Sequence, residues 1–278
     1  MATQPAARLT LGVMASLPEG PERVLRGVHD LGLPTCQLVC WQREWLTREM
    51  AQRVVAAARE HQVEITTMWT GLPGRNVWNF IEGPVTIGLV PEATRAERVE
   101  VLKQGADFAA WIGAPSVTTH VGFIPEDPNS PLYTGVLRAL DEVVRYCRER
   151  ALLFCFETGQ ETPITLLRVI EDLGYDNLGV NLDPANLLMY GKANPVDALD
   201  ILGPHVRGVH AKDGEYPTNG RNLGVEKPLG EGRVNFPLLI PTLKAYGYQG
   251  ALTIEREISG PQQIEDIRRA IHLLSDLL

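Results

Sequence analysis

The chain has 278 residues, 44% of them hydrophobic, with 26 Lys and Arg against 34 Asp and Glu, a formal net charge of −8. Its length suits one α/β barrel of about 250 residues around a single core, and the acidic balance excludes a protein built to hold nucleic acid, which needs clustered cations. Cys36, Cys40, Cys147 and Cys155 lack the paired CxxC spacing of a zinc or redox site and read as reduced packing residues of a cytoplasmic protein. The opening MATQPAARLTLGVMA has one Arg and no long apolar run, and nowhere do 18 apolar residues follow one another, so neither an export signal nor a membrane span is expected.

In chain order the strand candidates are LTLGVM (9–14), TCQLVC (35–40), EITTMW (64–69), SVTTH (116–120), LLFCFE (152–157), LGVNLD (178–183), VRGVH (206–210) and ALTIE (251–255). Each is short and rich in Val, Ile, Leu or Thr. Between them lie amphipathic stretches such as PERVLRGVHDLG, TREMAQRVVAAAREHQ, RAERVEVLKQGADFAAWIG, GVLRALDEVVRYCRER and PQQIEDIRRAIHLLSDLL, with apolar residues at i, i+3 and i+4. Several stop at a glycine, as in DLG, WIG and AYG, where a left-handed residue ends a helix. Eight alternating units predict a single-domain (β/α)₈ TIM barrel over residues 1–278. The competing doubly wound sheet lacks a GxGxxG or GxxxxGK[ST] after its first strand.

The loops after strands 3, 4 and 7 greatly exceed the usual ~2–6 residues of a βα connection, and all three belong to the barrel face where active sites are built. They are candidate lids or subunit contacts, so a homo-oligomer is one expected form. Strands 4 to 8 end in His120, Glu157, Asp183, His210 and Glu255. A single strand-end carboxylate is most often a helix N-cap or a surface ion pair. Three carboxylates and an imidazole on four consecutive strands instead need a neutralising charge, and a divalent cation supplies it. This oxygen-rich set suits Mn²⁺ first, with Mg²⁺ and Co²⁺ as the other expectations.

The segments FCFETG, NLDPANL, VHAKDG and PLGEGRVNFPLLIPTLKAYGYQGALTIERE resemble the xylose isomerase-like TIM barrels, also called sugar phosphate isomerase/epimerases. The resemblance implies one divalent metal held by Glu157, Asp183, His210 and Glu255. It also implies that Glu157 and Glu255 act as the acid/base pair on opposite faces of a carbohydrate substrate, through an enediolate. Members similar to ketose 3-epimerases carry a His where Asn186 stands and an Arg where Pro217 and Thr218 stand. Other members dehydrate keto-inositols or cleave 3-keto-glycosides, so a lyase working by β-elimination is the alternative to an isomerase/epimerase.

His120, Asn186, Lys212 and Trp69 are the substrate-binding candidates. Lys212 has a plainer reading as an ion pair with Asp213 or Glu226, and His120 one as a hydrogen-bonded packing residue. Glu257 rivals Glu255 as the last ligand, one pleat along. Trp69 and Trp78 are candidates to stack on a sugar's apolar face or simply to pack. Gly230 and Gly232 carry a weak phosphate-loop signal, more simply a turn. His29, His61, His205 and His272 read as structural or solvated. A DNA-repair endonuclease needs more histidines and a basic surface than this chain offers, and a non-catalytic sugar-binding barrel does not explain a complete acid/base set.

Overall fold

The computed structural model describes residues 9–278; part of the opening segment read for an export signal, residues 1–8, lies outside them. All eight expected strands form: β1 (Thr10–Ser16), β2 (Thr35–Cys40), β3 (Glu64–Thr70), β4 (Ser116–Thr119), β5 (Leu153–Glu157), β6 (Leu178–Leu182), β7 (Val206–Ala211) and β8 (Ala251–Ile254). Each pairs in parallel with its sequence neighbour, and β8 returns to β1 with Thr10 opposite Ala251 and Val13 opposite Ile254. Closure rules out the open doubly wound sheet. The helices are α1 (Pro21–Asp30), α2 (Arg48–His61), α3 (Glu92–Ile112), α4 (Pro131–Arg148), α5 (Pro163–Leu173), α6 (Pro184–Met189), α7 (Leu199–Leu202), α8 (Phe236–Ala245) and α9 (Pro261–Ser275).

Strand alternation divides the barrel into two interiors. Leu38, Val117, Phe154, Phe156, Val180, Val209 and Leu252 are buried in one core with helix residues such as Leu25, Val54, Leu102, Leu140, Val169 and Leu243. Each contributes about 1.5–3 kcal/mol by leaving water. The other face points to the barrel axis and is polar: Gln37 on β2 reaches Asn181 on β6, and Thr67 on β3 meets Thr118 on β4. All four cysteines are buried and unpaired; burial pushes the Cys36, Cys147 and Cys155 thiols up to about 12, which keeps them protonated and inert. Gly32, Gly113 and Gly247 take the left-handed φ predicted at helix stops, 75°, 75° and 83°. Among the described residues no helix is long and apolar enough to cross a membrane.

Three strands stop one residue sooner than expected, leaving His120, Asp183 and Glu255 just beyond the ladder. Asp183 turns out because it also starts α6: its Oδ1 accepts the Asn186 N–H at 2.8 Å, with Pro184 at the first helical turn. The plain N-cap reading is therefore correct for one oxygen of Asp183, and the other remains free for different work.

Two buried charges hold the long loops in place. Arg98 of α3 is fully buried and donates to the carbonyls of Pro73, Arg75 and Gly88 in the loop after β3. Asp213, after β7, accepts N–H groups from Gly214 and Val234 at Oδ1 and from Gly230 and Gly232 at Oδ2, over 2.8–3.0 Å. The Gly230 and Gly232 amides are thus spent on a carboxylate, which removes the phosphate-loop reading. Replacing Asp213 by Ala strands four amide donors, so Asp213→Ala is expected to cost about 2–4 kcal/mol in urea unfolding; a loss within about 0.5 kcal/mol, the range of a neutral surface change, would contradict this role.

Candidate active site

Four adjacent strands bring Glu157, Asp183, His210 and Glu255 together at the C-terminal mouth, and one donor atom from each lies within 4.8 Å of all the others. His210 Nδ1 is 3.0 Å from Glu255 Oε2, 3.3 Å from Glu157 Oε1 and 3.7 Å from Asp183 Oδ2. Its other nitrogen, Nε2, is 2.8 Å from Gln37 Oε1. Three buried atoms of the cluster, His210 Nδ1, Asp183 Oδ2 and Glu255 Oε2, have no hydrogen-bond partner. Buried polar atoms are rarely left so. One nitrogen and two carboxylate oxygens without partners, converging with a Glu157 oxygen, fit a single divalent cation.

Glu257 does not enter the cluster. After Ile254 the chain leaves the sheet: the Glu255 N–H still reaches Ala211 O at 3.3 Å, whereas the Glu257 N–H turns to Glu226 Oε1 at 3.0 Å. The exposed Glu257 carboxylate lies 3.1 Å from Lys212 Nζ.

Lys212 is buried among carboxylates, 3.4 Å from Glu255, 3.6 Å from Asp183, and 3.4 Å from Asn186 Oδ1. The anticipated ion pairs with Asp213 or Glu226 do not form; Asp213 is occupied by amides, and Glu226 pairs with Arg256 at 2.9 Å. The Lys212 ammonium and one divalent ion would together balance the three clustered carboxylates.

Electrostatics follow from that enclosure. Burial opposes the charged forms of Glu157 and Glu255, but His120 and His210 outweigh it at Glu157, and Lys212 and His210 hold Glu255 at about 2. Asp183 is raised by burial, with Lys212 only partly offsetting it. Burial also works against the His210 imidazolium, yet the charges of Glu157 and Glu255 hold its pKa well above the usual value.

Glu157 is gripped from three sides. The Trp69 indole N–H donates to its Oε2, Asn186 Nδ2 lies 3.3 Å from Oε1, and His120 Nε2 lies 3.3 Å from the same oxygen. His120 stacks tilted on Trp78 with centroids 5.2 Å apart, and Trp41 approaches Trp69 at 5.2 Å. Trp41, Trp69, Trp78 and His120 therefore form an aromatic wall along a cavity of about 830 Å³ that Glu157, Asn186 and Glu255 also line. Asp183, His210 and Lys212 are buried and do not line it. The remaining histidines stay apart: His29 and His61 pair at 6.1 Å on α1 and α2, His205 precedes β7, and His272 is on α9.

Gln37 and Trp41 were not among the sequence candidates. A lone glutamine inside the apolar run TCQLVC was the available signal for Gln37, because a buried amide needs partners. Trp41 follows a strand end and carried no comparable mark.

Comparison with known proteins agrees with this architecture. The family model for the xylose isomerase-like TIM barrel matches residues 25–277. A crystal structure of a xylose isomerase domain protein from Planctomyces limnophilus is 36% identical, covers 97% of each chain and superposes with a TM-score of 0.92. The uncharacterised protein MJ1311 of Methanocaldococcus jannaschii is 26% identical over 94% of this chain and 86% of its own. A D-tagatose 3-epimerase-like structure has a TM-score of 0.75 with 21% identity over 97% of both chains, a likeness of fold. The chain belongs to the xylose isomerase-like TIM barrel family.

Proposed function

We propose that the protein is a divalent-metal-dependent isomerase or epimerase of a sugar or sugar derivative. The observation that carries this reading is the convergence of Glu157, Asp183, His210 and Glu255 with three buried donor atoms lacking partners. A divalent ion held by these four, Mn²⁺ before Mg²⁺ or Co²⁺, would supply Lewis-acid polarisation of the substrate carbonyl.

The protein's own groups then move the proton. Glu157 comes from β5 and Glu255 follows β8, with β6 and β7 between them, and both line the cavity. One carboxylate removes the proton on the carbon next to the carbonyl, leaving an enediolate, and the other returns a proton to the opposite face, which inverts that carbon. Return to the neighbouring carbon gives aldose/ketose isomerisation. The Trp69 and Asn186 donors fix the Glu157 carboxylate for its part. Lys212 serves as the resident counter-charge beneath the substrate, and His120 and Asn186, which line the cavity, contact its oxygens. The aromatic wall takes the apolar face of the ring.

The name of the D-tagatose 3-epimerase-like neighbour supports epimerisation. The test is product analysis: Mn²⁺-loaded protein given a panel of ketoses and 3-keto-glycosides is expected to yield epimers or aldoses. Release of water or aglycone with no epimer would move the assignment to a lyase.

A pH dependence follows for the metal. His210 must shed its proton before Nδ1 becomes a ligand, and its raised pKa means that it holds that proton in the metal-free protein near neutrality. Mn²⁺ binding is therefore expected to release a proton and to tighten as pH rises. Calorimetry in buffers of different ionisation enthalpy measures the release; a heat independent of buffer would contradict it.

A further inference from the structure

Strand β2 contributes none of the four clustered donors, yet it is tied to them through the barrel axis. Gln37 Oε1 lies 2.8 Å from His210 Nε2, and Gln37 Nε2 donates to Asn181 Oδ1 at 2.9 Å. All three side chains are buried. We propose, resting on the metal-site reading above, that Gln37 is the positioning residue that aims His210 at the metal.

The argument starts from donor and acceptor identities. An amide oxygen only accepts, so the nitrogen facing Gln37 Oε1 must carry a hydrogen. Neutral His210 is thereby held as the Nε2–H tautomer, and the lone pair belongs to Nδ1, the atom facing Glu157, Asp183 and Glu255. A second hydrogen-bond partner of this kind orients a metal-binding imidazole and fixes which nitrogen binds.

Gln37 has a partner at each end of its amide. Its NH₂ group is committed to Asn181 Oδ1, and Asn181 sits opposite Glu157 on β5 and Gly208 on β7 in strand register. A Cβ at position 208 would lie 2.3 Å from Asn181 Oδ1, so glycine there is what admits the amide. The relay Asn181, Gln37, His210 thus crosses the barrel beneath the cluster.

The test uses the full chain, Mn²⁺ and Co²⁺ alone, and two variants. Gln37→Leu removes the acceptor at similar size; Gln37→Glu keeps it, and Asn181 Nδ2, which has no partner, can rotate to donate to the new carboxylate. Gln37→Leu is expected to weaken Mn²⁺ binding about 10–100-fold by calorimetry and to alter the visible absorption of the Co²⁺-saturated protein. Gln37→Glu is expected to restore the wild-type Co²⁺ spectrum and affinity to within about 5-fold, well inside that range. Wild-type affinity and spectrum in Gln37→Leu overturn the proposal. So does equal loss in both folded variants, which would make Gln37 a packing residue. If Gln37→Leu does not fold, the Gln37→Glu spectrum decides: one unlike the wild type's overturns the proposal. Failure of the wild type to bind either ion instead defeats the metal reading itself.

Discussion

Glu157→Gln is expected to lower turnover by about 10³-fold, within the range for removing a general acid/base, and to stop exchange of the carbon-bound proton. The change preserves shape and leaves an oxygen to accept from Asn186 or Trp69, so the effect reports the lost base and lost ligand charge rather than lost packing. Glu157 is buried and held by Trp69, Asn186 and His120. Glu255→Gln is expected to act similarly. Turnover within about 10-fold of wild type would contradict an acid/base role for Glu157.

The second large effect concerns Asp183, whose two oxygens have separate tasks. Oδ1 caps α6 through the Asn186 N–H, while Oδ2 is buried without a hydrogen-bond partner. Asp183→Asn keeps an oxygen for the cap and removes the charge. It is expected to leave the metal-free melting temperature close to wild type and to weaken Mn²⁺ binding by about 100-fold or more. Asp183→Ala loses both functions and is expected to cost a further ~1 kcal/mol of stability from the missing cap. Mn²⁺ at 100 times its Kd adds about 2.7 kcal/mol to wild-type stability, so a thermal melt with and without the ion separates the variants. Equal Mn²⁺ stabilisation of wild type and Asp183→Asn would remove Asp183 from the ligand set.

Much of this site was legible because strand periodicity is local. Runs such as LGVNLD and VRGVH placed Asp183 and His210 on the axis side of their strands, and the barrel placed those strands side by side. The choice between Glu255 and Glu257 was not legible, since the two-residue period holds only while the strand does. The Glu257 N–H leaves the ladder for the Glu226 carboxylate, a contact made by a residue 31 positions earlier. Long range also hid Arg98 and Asp213: a charge on a helix and one in a Gly-rich segment look solvated until a folded loop supplies carbonyls or amides. Gln37 was hidden in the same way, 173 positions from the His210 it orients. Asn186 shows the opposite case, where a residue out of keeping with the ketose 3-epimerase pattern proves to touch both Glu157 and Lys212.

Proton exchange at carbon tests the central claim most directly. Protein loaded with Mn²⁺ is incubated in D₂O with ketoses and 3-keto sugars, and deuterium at the carbon next to the carbonyl is followed by NMR. Deuterium is expected to enter at least one substrate with the loaded protein and none after chelation. Tight binding of such a sugar with no exchange at any carbon would contradict the account.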